Sequence, residues 1–231
     1  TTTIAELLAQ KTRLFSHISH EFRTPLSLIL RTVKHFKQHR STTEEQALIN
    51  SAQSNTYRLI RMVEQLLELA RFNFSAEVKP QSIALADFVA VIMDALHSAI
   101  VEQHHRIEVD IDQHIMVWVE ADALEKMLVN LLSNAIKYTP AHGEIKVFAT
   151  QDEQSVTIVV SDTGPGIAAH EQQDIFKPFV RGSQQHQHVV GTGLGLALVQ
   201  ELVDASAGKI WLQSSADKGS AFFVMLPSAP D

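Results

Sequence analysis

Residues on one helical face, all but one of them apolar, recur between Leu48 and Leu69 at alternating steps of four and three. This spacing constrains the fold of the chain more than any other feature. The seven positions are Leu48, Ala52, Asn55, Leu59, Met62, Leu66 and Leu69. Such a heptad repeat is typical of a helix that packs along its whole length against other helices. It predicts a long helix that begins near Thr43 and Glu44, just after a short polar break.

A second amphipathic stripe lies upstream of this helix, from about residue 4 to residue 39. Its apolar members are Leu7, Leu14, Ile18, Phe22, Pro25, Ile29, Val33 and Phe36. Steps of three and four residues again predict a helix with one apolar face. Two antiparallel helices cannot bury both stripes alone, so we expect the α-helical hairpin to form a four-helix bundle in a homodimer.

The pattern changes after the segment from Arg71 to Pro80, because strands now alternate with helices. Helices are predicted at residues 86–101, 122–138 and about 194–206, and strands at residues 106–111, 116–120, 144–150, 155–161, 209–213 and 221–226. This arrangement predicts an α+β two-layer sandwich. We therefore expect two domains, a helical dimerisation domain at residues 1–75 and an α+β domain at residues 80–231.

The first helix carries a histidine, a carboxylate and a hydroxyl on consecutive turns, in the segment F-S-H-I-S-H-E-F-R-T-P-L. His20 is neutral in part at neutral pH and can act as a nucleophile toward a phosphoryl group. Glu21 can accept a hydrogen bond from the ring, and Thr24 lies one turn further along the same face. Pro25 removes a backbone donor and loosens the helix beside this histidine. The alternative is that His20 is simply a solvated or packed helical histidine.

A second group of polar residues lies in the predicted helix at 122–138. Asn130 and Asn134 stand one turn apart amid leucines, so their amide oxygens share a face and can bind a hard cation such as Mg²⁺ beside nucleotide phosphates. Lys137 and Tyr138 follow one turn later and can reach the same phosphates. The alternative is a pair of exposed or capped asparagines.

The segment D-T-G-P-G-I follows an apolar strand. The Asp162 carboxylate can accept a hydrogen bond from the amino group of adenine, while Gly164 and Gly166 let the backbone approach a flat base. An ordinary turn is the alternative for this segment.

The segment G-T-G-L-G-L-A-L opens the last helix with three glycines. Its residues Gly191, Thr192, Gly193, Leu194 and Gly195 offer backbone amides near the positive end of a helix dipole, which suits a phosphate chain. The spacing fits neither a Rossmann fingerprint nor a P-loop. Close helix packing is the alternative explanation.

Composition excludes several classes of function. The net charge of −7 argues against nucleic-acid binding, and the absence of cysteine excludes disulfides and cysteine-based metal sites. No apolar run reaches the ~18 residues that a membrane span needs. The chain begins with T-T-T-I inside a predicted helix, so we expect a soluble part of a longer protein. His186 and His188 form an H-x-H pattern, which we interpret as part of a solvated loop rather than a metal site.

Five motifs in this order resemble the cytoplasmic core of bacterial sensor histidine kinases of two-component signalling. S-H-E-F-R-T-P-L resembles the acceptor motif and N-L-L-S-N-A-I-K-Y-T-P the asparagine box. D-T-G-P-G-I and G-T-G-L-G-L-A-L resemble the two glycine boxes, and I-F-K-P-F-V-R-G resembles the phenylalanine box. The chain departs from the usual pattern at Glu125, Lys126, Lys177, Asp217 and Ser220.

The resemblance implies a phosphoacceptor and dimerisation domain joined to an ATP-binding domain of the Bergerat type. His20 would attack the γ-phosphate of MgATP with help from Glu21, and the phosphoryl group would pass to an aspartate of a response-regulator receiver. Thr24 would serve in dephosphorylation of that regulator.

The same resemblance implies roles in the ATP-binding domain. Asn134 and Asn130 would bind Mg²⁺, Asp162 would select adenine, and Lys137, Tyr138 and Arg181 would contact phosphates. Phe176 and Phe179 would anchor a lid that ends at Gly191. Two other interpretations remain open from the sequence alone: an ATP-hydrolysing conformational machine and a silent dimeric scaffold.

Overall fold

The structure is a computed structural model, and it describes residues 26–29, 31, 49–52, 54–57, 59–60, 62–63, 65, 79–180 and 192–230. The chain divides into two compact units, residues 1–67 and 68–231. The domain boundaries that the sequence suggests, at residues 75 and 80, stay predictions.

The described residues of the first unit are helical, and their burial follows the heptad repeat. Met62 is fully buried, and the other described repeat positions between Ala52 and Leu59 are half-buried. Most of the described residues around them are exposed and include four apolar ones, Ile49, Tyr57, Ile60 and Val63. The repeat therefore faces inward, as its spacing predicts, and a second apolar strip remains on the surface of the unit.

The second unit contains seven strands and three helices among its described residues. In chain order they are β1 (Gln81–Ala84), α1 (Leu85–Glu102), β2 (Arg106–Asp110), β3 (Met116–Val119), α2 (Ala121–Tyr138), β4 (Glu144–Gln151), β5 (Ser155–Asp162), α3 (Gly195–Ala205), β6 (Lys209–Ser214) and β7 (Ser220–Pro227). Five strands form one sheet in the order β2-β4-β5-β7-β6. Only β2 and β4 are parallel; the other neighbours are antiparallel. β1 and β3 form a separate antiparallel pair.

A single core lies between the helices and one face of the five-stranded sheet. Strand β7 shows the alternation that a half-covered sheet requires, because its residues are buried at every second position from Ser220 to Leu226. Helix α2 contributes the largest buried share, with eight buried residues. This packing confirms the α+β two-layer sandwich. No helix in the described parts of the chain is both long and apolar enough to cross a membrane.

Strand β1 is the one described element of this unit that the sequence did not predict. It has only four residues, and it pairs with β3, so that Gln81 lies opposite Val119 and Ala84 opposite Met116. A strand this short has too little alternation to be recognised locally. The other predicted helices and strands are confirmed, with ends that differ from the prediction by at most one residue.

Candidate nucleotide-binding site

Asn130 lies in the middle of α2, with its carboxamide fixed in one direction. Its Nδ2 donates to the carbonyl oxygen of Lys126 at 2.7 Å. The amide oxygen therefore points away from that bond, toward the beginning of α3. A Cβ atom built on Gly195 would come within 2.7 Å of this Oδ1. The tertiary fold thus brings the asparagine motif and the glycine-rich helix start together.

Asn134 lies one turn further along α2 and is half-buried. Its side chain makes no hydrogen bond with any residue in the described parts of the chain, so its amide oxygen can accept one. Lys137 follows, with its Nζ 4.8 Å from the ring centre of Tyr138 and 3.4 Å from the Tyr138 hydroxyl oxygen. One end of α2 therefore presents an amide oxygen, an ammonium group and a phenol on adjacent turns.

Asp162 is the last residue of β5, a strand in the middle of the sheet. Burial raises the pKa of its carboxyl group, and backbone N–H groups of Gly164 and Ser220 oppose that shift by donating to the carboxylate. The bond from Gly164 N to Oδ1 is 2.8 Å long. A carboxylate has about four acceptor positions, so the two backbone donors leave capacity for a further donor such as the amino group of a base.

The two glycines after Asp162 are required by the space around them. A Cβ on Gly164 would lie 2.7 Å from Asp162 Oδ1 and 3.0 Å from the carbonyl oxygen of Tyr138. Gly166 has a φ of +70°, and a Cβ there would lie 2.0 Å from the carbonyl oxygen of Ser215. Only glycine fits this close approach of three backbone segments. The turn after β5 is therefore packed between the end of α2 and the segment that follows β6.

Backbone contacts join the two sides of segment 181–191. Phe179 N donates to the carbonyl oxygen of Gly193 at 2.8 Å, and both residues have a positive φ, 64° and 71°. Thr192 Oγ1 accepts from Leu194 N at 3.3 Å. The ring of Phe176 packs edge-on against that of Phe222, with centroids 6.4 Å apart. The phenylalanine motif and the second glycine motif therefore meet at this point of the domain.

Most of the site residues predicted for the α+β domain lie in this arrangement. The structure brings Asn130 beside Gly195, Asp162 beside Gly164, and Phe179 beside Gly193. Other predicted residues lie outside the described parts of the chain: His20, Glu21, Thr24, Pro25, Arg181, Gly191, and the two histidines of the H-x-H pattern, His186 and His188.

Three residues that support the site were missed by sequence reasoning. Ser220 lies directly opposite Asp162 in the pairing of β5 with β7 and donates its backbone N–H to the Asp162 carboxylate. Ser214 and Gln172 hold the turn that contains Gly166 through side-chain hydrogen bonds to Ile167. No local pattern marks these residues, because their role depends on strand pairing and on contacts between distant segments.

Two family models match the chain, one after the other. Residues 10–74 match the family model of the His Kinase A (phospho-acceptor) domain. Residues 119–230 match that of the Histidine kinase-, DNA gyrase B-, and HSP90-like ATPase. The chain therefore belongs to the sensor histidine kinases of two-component systems, and it contains their catalytic core.

Known proteins with similar sequences and structures agree with this membership. The adaptive-response sensory kinase SasA of Synechococcus sp. (strain JA-3-3Ab) is 33% identical over 231 residues, which cover 97% of this chain and 61% of SasA. The chain thus spans less than two thirds of the length of that relative.

Two solved structures show the same fold. Histidine kinase ThkA in complex with response regulator protein TrrA matches with a TM-score of 0.81 and 22% identity, over 98% of this chain and 64% of that one. Full-length ShkA in complex with AMPPNP matches with a TM-score of 0.70 and 25% identity, over 95% of this chain and 46% of that one.

Proposed function

We propose that this chain is the catalytic core of an ATP-dependent protein-histidine kinase that phosphorylates His20 and then transfers the phosphoryl group to a response regulator. The observation that carries the proposal is the environment of Asp162. Its partly buried carboxylate ends a central strand, two backbone N–H groups orient it, and it retains capacity to accept from a base. The family membership and the AMPPNP complex of ShkA support ATP as the nucleotide.

Adenine is selected by its amino group. The exocyclic amine of adenine donates to the Asp162 carboxylate, whereas guanine presents an acceptor oxygen at the same ring position. A buried carboxylate that meets an acceptor loses hydration without gaining a hydrogen bond, which is costly. Gly164 and Gly166 leave the backbone free of side-chain bulk where a planar base must approach.

The phosphate chain lies between α2 and the beginning of α3. Lys137, Tyr138 and Arg181 supply positive charge and a hydroxyl donor, and the backbone amides from Gly191 to Gly195 supply further donors at a helix start. The donor set on α2 fits a hard divalent cation, because the amide oxygen of Asn134 has no partner among the described residues and that of Asn130 faces Gly195. Mg²⁺ held by Asn134 and Asn130 would neutralise phosphate charge there.

The phosphoryl transfer itself requires a nucleophile on the helical unit. A ring nitrogen of His20 forms a bond to the γ-phosphorus, the bond from that phosphorus to the bridging oxygen breaks, and ADP leaves. Glu21 accepts a hydrogen bond from the other ring nitrogen and raises the electron density of the attacking one. Both residues fall in the segment that matches the phospho-acceptor domain model.

A response-regulator receiver is the proposed acceptor of the phosphoryl group, since the structural neighbour ThkA forms a complex with response regulator TrrA. An aspartate oxygen of the receiver attacks the phosphorus, and His20 leaves as a neutral imidazole. Thr24 positions the water that hydrolyses the regulator's phosphoaspartate. The reaction takes place in the cytoplasm, where ATP is supplied.

A homodimer is the proposed assembly. The helical unit exposes Ile49, Tyr57, Ile60 and Val63 on a strip beside the inward heptad face. A second copy of the hairpin covers this strip in a four-helix bundle. Residues 1–75 form this dimerisation domain, and residues 80–231 form the ATP-binding domain.

Labelling with γ-³²P-ATP and Mg²⁺ tests the kinase proposal. We expect label that is labile in acid and stable in base, and we expect His20→Gln to abolish it. His17→Gln is the matched control, because it removes a neighbouring histidine from the same predicted helix. ATP hydrolysis with no phosphohistidine would instead indicate a conformational ATPase, and label that survives His20→Gln would refute the assignment of His20.

A further inference from the structure

The hydroxyl group of Ser214, at the end of β6, has a complete set of hydrogen-bond partners. It accepts from the backbone N of Ile167 at 2.8 Å and donates to the carbonyl oxygen of Gly219, also at 2.8 Å. Its third partner is the Ser220 hydroxyl, with 3.0 Å between the oxygens. A hydroxyl has one donor and two acceptor positions, so all three are in use. Ser214 therefore ties the turn after β5 to the turn between β6 and β7.

Gln172 completes a clamp around the same peptide segment. Its Nε2 donates to the carbonyl oxygen of Ile167 at 2.8 Å and to that of Ser214 at 2.9 Å. Ile167 is thus held at its N–H group by Ser214 and at its C=O group by Gln172. Both side chains are partly buried, so the bonds are shielded from competition with water.

The two turns that Ser214 and Gln172 hold carry or adjoin the backbone groups that donate to the Asp162 carboxylate. Gly164, which donates to Asp162 Oδ1, belongs to the turn held at Ile167. Ser220, which also donates its N–H to that carboxylate, follows the turn held at Gly219. The two turns also touch at another point, because Asp217 N donates to the carbonyl oxygen of Pro165 at 2.7 Å. Both donors that orient Asp162 therefore depend on segments that Ser214 and Gln172 fix.

We propose that Ser214 and Gln172 are positioning residues for nucleobase selection, which act on the base only through Asp162. By holding the two turns together they keep the Gly164 and Ser220 N–H groups aimed at the carboxylate, so that its remaining acceptor positions face the amino group of adenine. This inference rests on the proposed nucleotide function of the site.

Removing the Ser214 hydroxyl should weaken the binding of adenine nucleotides but not of guanine nucleotides. Ser214→Ala leaves the N–H of Ile167 and the C=O of Gly219 without their partner, and the turns must shift to regain hydrogen bonds. The Asp162 carboxylate then loses alignment with the base, while Lys137 and the amides at the start of α3 still bind phosphates. Adenine nucleotides should lose affinity, and guanine nucleotides, which do not use Asp162 as an acceptor, should not.

The experiment measures dissociation constants of AMPPNP and GMPPNP by calorimetry, together with thermal unfolding without nucleotide. We expect Ser214→Ala and Gln172→Glu to weaken AMPPNP binding about tenfold and to leave GMPPNP binding almost unchanged. Ser214→Thr keeps the hydroxyl and should restore the preference for adenine. Ser206→Ala is the matched control, because it removes another partly buried serine bond, from Ser206 Oγ to the carbonyl oxygen of Leu202 at 2.8 Å.

A second readout separates positioning from general stability. NMR titration of the Asp162 carboxyl carbon should show a pKa raised further in Ser214→Ala than in the parent chain, because the Ser220 donor is lost, and no change in Ser206→Ala. If Ser214→Ala and Gln172→Glu keep the parent's preference for AMPPNP while Asp162→Asn loses it, the clamp has no positioning role and the nucleotide proposal stands. If the parent chain itself shows no preference that depends on Asp162, the proposed function fails at this site.

Discussion

Gly195 lies against the carboxamide of Asn130, so that a Cβ atom on the glycine would come within 2.7 Å of the amide oxygen. This contact joins the first residue of α3 to the middle of α2. Because Asn130 Nδ2 is bound to the carbonyl oxygen of Lys126, the carboxamide cannot rotate without breaking that bond. Because Gly195 has no side chain, Asn130 Oδ1 keeps its orientation, and the proposed site uses this oxygen to bind Mg²⁺.

Gly195→Ala is expected to reduce binding of Mg-AMPPNP about tenfold with little change in stability. The new methyl group displaces the side-chain amide of Asn130 rather than backbone, and alanine is a better helix former than glycine, which limits the loss of stability. Calorimetry of nucleotide binding and urea unfolding measure the two effects.

A double-mutant cycle tests whether the effect acts through Asn130. If it does, Asn130→Ala and the double variant with Gly195→Ala should bind Mg-AMPPNP equally, because the displaced group is already absent. A further loss of affinity in the double variant would show that Gly195 acts on the nucleotide by another route.

Asp162→Asn should stabilise the unliganded domain at pH 7 while it weakens AMPPNP binding between about ten- and a hundredfold. Burial raises the pKa of Asp162 above the ordinary value of 3.8. The native carboxyl group thus holds a proton more tightly than the unfolded one, and the free energy of unfolding falls as the pH rises through the interval between the two pKa values. At pH 7 the ionised group carries this cost in full, and the neutral amide avoids it.

Urea unfolding of both chains at pH 7 and below pH 4 measures this difference. The gap in free energy of unfolding should narrow at the lower pH, where the parent carboxyl group is protonated. A variant less stable than the parent chain at pH 7, with a gap independent of pH, would contradict the prediction.

Lys137→Met should weaken AMPPNP binding about tenfold and reduce its dependence on salt, because one charge on the phosphates is lost. Adenosine binding should be unaffected, since the base does not contact this residue in the proposed site. Lys146→Met is the control: this lysine pairs with Glu108 at 2.7 Å on the exposed β2–β4 edge. Equal losses for adenosine and AMPPNP would show that Lys137 acts by packing on Tyr138 rather than by charge.

Gly193→Ala should lower both stability and nucleotide affinity. Its φ of +71° costs an alanine roughly 1–2 kcal/mol, and the added Cβ would lie 2.9 Å from the Cα atom of Phe179. The hydrogen bond from Phe179 N to the carbonyl oxygen of Gly193 is then strained. Thermal unfolding and AMPPNP calorimetry measure the loss.

Gly193→Asn separates the two causes, because asparagine tolerates a positive φ but also carries a Cβ atom. If the asparagine variant is as impaired as the alanine variant, the close approach to Phe179 is responsible. If the asparagine variant behaves like the parent chain, backbone conformation alone explains the loss.

Local features of the sequence were enough to predict most elements of the fold. The three- and four-residue steps between Leu48 and Leu69 indicated a helix with one apolar face, because this periodicity follows from where successive side chains point within one helix. The glycine motifs and Asp162 were recognisable from local sequence as well, because the residue types that nucleotide binding requires stand close together in the chain.

The sequence by itself determined the two-part organisation, the helical repeat and the residue types of a nucleotide site. Only the tertiary structure decided that β1 pairs with β3, that Ser220 lies opposite Asp162, and that Gly195 meets Asn130. These relationships arise from strand register and helix packing, which depend on contacts between segments far apart in the chain. Spacing within a motif is local, whereas the position of one motif relative to another is fixed by the shared core.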